Sequence, residues 1–175
     1  MTVLVGPFAI AACLLAVAGL AKAGQPAATA GALAAMRLPH RRWMVRVGGA
    51  VEGLLAIAAL VSGNVLLALL VAVSYVVFAA FVVGALRAGV PISSCGCLGK
   101  ADTPPHPVHV AINLGAAAAA VGVALHGGAP ISDVLADQSL AGLPFALLVT
   151  IGVVAAALAM SALPRTLDAT RRARA

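Results

Sequence analysis

The stretch VLLALLVAVSYVVFAAFVVGAL, residues 65–86, carries no charged side chain over 22 residues and is closed by Arg87. At about 1.5 Å per residue a helix of this stretch reaches roughly 33 Å, enough to cross a bilayer's hydrocarbon core. In that medium every backbone N–H and C=O must be satisfied within the segment, so the segment is a helix.

Four further runs have the same character. Residues 3–21 end at Lys22, and 45–61 carry Arg46 at their start and are interrupted further in only by Glu52. Residues 107–125 and 144–163 both open on proline, at Pro107 and Pro144. A missing N–H costs nothing at a helix start. Ser62-Gly63-Asn64 is short enough to make the second and third runs antiparallel neighbours. The expected fold is all-α: a transmembrane bundle of five spans over residues 1–163, followed by a basic tail at 164–175 that frays.

Composition agrees. Of 175 residues, 63% are apolar and 9% charged, with a mean hydropathy of +1.11. That is too little charge to coat a soluble domain or to keep a chain disordered. Aromatic residues are 3% of the chain, which argues against a β-barrel with aromatic girdles. The net charge of +6 does not signal nucleic acid here, because the charges lie between and beyond the apolar runs.

Those charges set the topology. Lys22, Arg37, Arg41, Arg42 and Arg46 occupy the first connection, and Arg87 and Lys100 flank the third. Arg165, Arg171, Arg172 and Arg174 are in the tail. With five crossings all 11 basic residues share one side. The positive-inside rule makes that side the cytosol, with the N-terminus outside and the C-terminus cytosolic in the inner (plasma) membrane. The first run lacks the basic n-region of a signal peptide.

Ser93-Ser94-Cys95-Gly96-Cys97-Leu98-Gly99-Lys100 is the sharpest chemical feature. A Cys-Gly-Cys pair closes only a small, strained disulfide, and strain makes the bond exchangeable. Lys100 favours the thiolate, the reactive form. Redox work is one reading. A second places a soft metal or zinc on Cys95, Cys97, His106 and His109. A third leaves ordinary loop thiols. Cys13, mid-run, reads as a packing residue.

Glu52 is the acidic residue inside a span. By the apolar boundaries it sits seven residues in, roughly 10 Å deep. A carboxylate there faces the bundle interior. It serves either as a proton or quinone group or as a structural partner, paired with Lys22 or Arg46 or hydrogen-bonded to Ser74, Tyr75 or Asn113. Gly49 and Gly53 form a G-x-x-x-G packing signal on the same helix.

Together these residues resemble a known family. A first helix ends in Gly19-Leu20-Ala21-Lys22, and the connection holds Pro26 and Ala34-Ala35-Met36-Arg37-Leu38-Pro39. Glu52-Gly53 follows, then Cys95-Gly96-Cys97-Leu98-Gly99, then Asn113 early in the next helix. The pattern resembles the MauE family of methylamine utilisation membrane proteins, in the DoxX-like group. Leu98 stands where the family usually has Phe, and Ile112 where it often has Arg. The resemblance implies a four-helix DoxX-like core plus one further span. It also implies a role in methylamine metabolism, through maturation or export of a disulfide-rich dehydrogenase subunit. By analogy with membrane thiol–disulfide oxidoreductases, Cys95, Cys97 and Glu52 are the implied catalytic residues, with a quinone as a candidate cofactor. The implied partner is a thioredoxin-like protein or a dehydrogenase subunit, besides membrane lipid. Two other functions fit the residues alone: a non-enzymatic membrane scaffold or chaperone, and a small metal transporter.

Overall fold

The computed structural model describes residues 4–89 and 104–174. Cys95, Cys97 and Lys100 lie outside the described residues. Five helices are long and apolar enough to span a membrane: α1 (Val5–Gly24), α3 (Arg42–Ser62), α4 (Val65–Ala88), α5 (Pro107–His126) and α7 (Leu143–Ser161). Three shorter ones join or extend them: α2 (Ala27–Ala35), α6 (Ile131–Ala136) and α8 (Leu163–Arg174). No strand occurs among the described residues.

The helix ends follow local chemistry. Gly63 ends α3 with φ of 60°, a left-handed conformation that suits glycine. Asn64 then caps α4, its side-chain oxygen accepting from the backbone N–H groups of Leu66 (2.8 Å) and Leu67 (3.3 Å). Gly89 ends α4 in the same left-handed way, just after Arg87. His106 caps α5 and Pro107 opens it. The basic tail does not fray: α8 is helical from Leu163 to Arg174.

Packing reverses the pattern of a soluble protein. The central cluster is rich in alanine, with Ala12, Ala56, Ala72 and Ala120 around Leu15, Val71 and Tyr75. The bulky Leu54, Leu66, Leu125 and Ile151 point outward. Lipid tails are as apolar as leucine, so burying leucine gains nothing in a membrane, whereas small residues let helices approach closely. Helix α1 is the most enclosed span, and α7 is almost wholly peripheral, laid along α1.

The spans alternate in direction. Helices α1 and α3 run antiparallel in close contact, as do α4 and α5. The α3–α4 turn at Gly63 meets Ala129 and Pro130, which follow α5. The C-terminal end of α1, the N-terminal end of α3, the C-terminal end of α4 and the N-terminal end of α5 therefore share one end of the bundle.

Candidate functional site

The site begins with three glycines. A methyl group on Gly19 would lie 2.5 Å from the Gly49 carbonyl oxygen and 2.6 Å from the Gly53 backbone nitrogen. One on Gly49 would lie 2.6 Å from the Gly19 oxygen. Backbone meets backbone, and only glycine permits it. Lys22 is three residues beyond Gly19, and Glu52 three beyond Gly49, so each lies nearly one helical turn from the crossing.

The two side chains meet. Lys22 Nζ is 2.5 Å from Glu52 Oε2, with side-chain exposures of 6% and 23%. Lysine at a span's end ordinarily reaches for the headgroups. Here it is held inside, and its ammonium also stands 4.2 Å from the centre of the Phe78 ring on α4. Phe78 meets Tyr75 edge to face, at 6.2 Å between centres and 85° between planes. The Tyr75 hydroxyl donates to the Ala11 carbonyl of α1 at 2.6 Å. One chain of contacts thus ties α3 to α1 and α1 to α4.

Among the partners open to Glu52 in the sequence, the structure selects Lys22. Tyr75 bonds to Ala11, and Ser74 donates to the Leu70 carbonyl of its own helix. Asn113 is buried, and its Nδ2 has no hydrogen-bond partner among the described residues. The pair lines a cavity of about 320 Å³ with Leu33, Met44, Phe78 and Phe81. Its walls come from α2, α3 and α4, with Lys22 of α1.

His106 and His109 are both buried and share the cap of α5. His106 Nδ1 accepts from the Val108 N–H, and His109 Nδ1 accepts from the His106 N–H, each at 3.2 Å. With Nδ1 accepting, a neutral His106 carries its proton on Nε2, which has no partner among the described residues. No cluster of three metal-binding side chains occurs among the described residues. Cys13 is half-buried and free on α1. The cysteine segment leaves the described chain at Gly89 and rejoins it at Pro104, at the Lys22 end of the bundle.

The family of the methylamine utilisation protein MauE matches residues 1–126. The chain belongs to the MauE family. The match takes in α1 to α5 entire, and with them Lys22, Glu52, Phe78, Cys95, Cys97, His106 and Asn113. Helices α6, α7 and α8 lie beyond it, so the MauE portion is a four-span unit and α7 is the further one. No curated protein and no solved structure matches this chain.

The sequence missed Phe78 and Phe81. Nothing marks one phenylalanine within an unbroken apolar run as facing a cation. Lys22 read mainly as a topology charge, although it was among the candidate partners of Glu52.

Proposed function

We propose that this MauE-family protein matures a partner of methylamine metabolism by thiol–disulfide exchange at Cys95 and Cys97. A thiolate of the partner attacks the Cys95–Cys97 disulfide and a mixed disulfide forms. The partner's second thiolate resolves it. The partner gains a disulfide and loses two electrons, and Cys95 and Cys97 become a dithiol. Glu52 accepts a proton as the dithiol is consumed and returns it as the dithiol is formed.

One observation carries this reading: an ion pair of buried Lys22 with partly exposed Glu52 sits at the same bundle end from which α4 leaves, and to which α5 returns, around the cysteine segment. An ionisable group within a span is expensive and marks function by default. The basic connections at that end make it the cytosolic face of the inner membrane. The electron-giving partner is then a thioredoxin-like dithiol protein, or a dehydrogenase subunit met before export.

The test is trapping. In membranes, the Cys95 thiolate of the Cys97→Ser variant should attack the disulfide of the oxidised partner, the reverse of the exchange, and accumulate as a mixed disulfide that reductant releases and that is absent from Cys95→Ser/Cys97→Ser. If the double variant matures the partner as well as the unaltered chain does, the reading is wrong.

A further inference from the structure

Helices α3 and α4 pack tightly near their turn, where Ala56 and Ala59 meet Ala68, Val71 and Ala72. Towards the other end they part. The cavity opens between residues 44–52 of α3 and 77–81 of α4. Helix α2 covers its end, with Ala32 and Met36 packed on Phe81 and Ala85. The outcome is a wedge-shaped cleft, apolar on its walls and polar at Lys22 and Glu52.

From this geometry we infer that the cleft binds the head of a lipid-borne quinone or a similar flat cyclic carbonyl compound. This rests on the thiol-exchange reading only in naming the acceptor that restores the disulfide.

The chemistry of the walls selects the ligand. Lys22 and Glu52 cancel each other's charge, so a charged head would have to break the pair. An uncharged head leaves it intact. An ammonium has three donors. Glu52 and the Phe78 ring take two of them, and a ligand carbonyl can accept the third. The partly exposed Glu52 carboxylate accepts from a hydroxyl when the same ligand is reduced. Phe78 and Phe81 offer aromatic surface to a planar ring. A cavity of about 320 Å³ is at the small end for ligand sites, so it takes a ring and leaves an attached tail in the lipid. Joined to the proposed exchange, the Cys95–Cys97 dithiol gives two electrons and two protons to the quinone, yielding the disulfide and the quinol.

Trp43 provides the measurement. It is the chain's single tryptophan, exposed in the first turn of α3 beside the cavity residue Met44. The full chain in lipid nanodiscs is titrated with a short-tailed ubiquinone analogue while Trp43 emission is followed. We expect saturable quenching. Lys22→Met should raise the half-saturating concentration at least tenfold. Gly48→Leu should do the same by filling the cleft with the ion pair in place, since a Cβ on Gly48 meets nothing within 4 Å. Non-saturable quenching, equal in the unaltered chain and Gly48→Leu, overturns the inference. So does displacement of the quinone by an equal mole fraction of oleic acid, which would make the cleft an acyl-chain site. Cys95→Ser/Cys97→Ser should still show saturable quenching. The cleft and the thiol chemistry therefore fail independently, the latter by the trapping assay alone.

Discussion

Lys22 and Glu52 come from different spans, yet the ammonium of one lies 2.5 Å from the carboxylate of the other inside the bundle. The Gly19–Gly49–Gly53 crossing draws α1 and α3 together, and the pair forms beside it. Neither charge is tolerable there alone. Breaking a buried pair costs about 3–5 kcal/mol, because the survivor is left uncompensated. We expect Lys22→Met and Glu52→Leu each to lower the Tm of the protein in detergent. Glu52→Leu should be worse, since it strands the more deeply buried group. The double variant should recover most of the loss. Additive losses would show that the two residues do not stabilise each other.

The crossing itself can be tested with one methyl group. Gly49→Ala puts a carbon 2.6 Å from the Gly19 oxygen and 2.9 Å from the Ala23 nitrogen, so α1 and α3 must part. Overpacking of this kind costs about 1–3 kcal/mol. Gly115→Ala on α5 meets nothing within 4 Å and should be neutral, or stabilising by up to about 1 kcal/mol from helix propensity. Thermal unfolding of the two variants side by side gives the comparison. Equal effects would contradict the close approach.

Tyr75→Phe keeps the ring on Phe78 and removes the hydroxyl that donates to Ala11. Interhelical hydrogen bonds in membranes contribute about 0.6 kcal/mol on average. The expected loss is therefore small, on the order of 0.5–1.5 kcal/mol including the unpaired carbonyl. A loss comparable to that of Glu52→Leu would mean that the hydroxyl does more than tie α4 to α1.

The spans were legible because hydropathy and caps act locally. Residues 65–86 read directly as α4, Ser62-Gly63-Asn64 as the turn before it and Pro107 as the opening of α5. The second run read as starting at Val45, whereas α3 begins at Arg42. Hydropathy marks where apolar residues begin, but a helix continues through arginines whose side chains reach the interface. The short α2 passed for a connection, being small, alanine-rich and without a cap signal. In the tail, charge density suggested fraying, yet α8 alternates Leu163 and Leu167 with arginines in an amphipathic pattern. The identity of the Glu52 partner required knowing that α1 crosses α3. Gly49 and Gly53 signalled a crossing, but not with which helix.

The charges predict a cytosolic C-terminus. A reporter active only in the periplasm, fused after Ala175, should stay silent, and a cytosolic reporter at the same place should be active. A strong periplasmic signal would invert the bundle and move the Lys22 end, with Arg165 of α8, outside.

Differential alkylation shows whether Cys95 and Cys97 act as one redox pair. Membranes are equilibrated in defined thiol–disulfide buffers, free thiols are alkylated, and the modification of each cysteine is read by mass. Adjacent thiols oxidise internally before they cross-link to neighbours. Cys95 and Cys97 should become protected together and be released together across one two-electron transition, while Cys13 stays outside it. Independent alkylation of Cys95 and Cys97 at every potential would contradict this pairing.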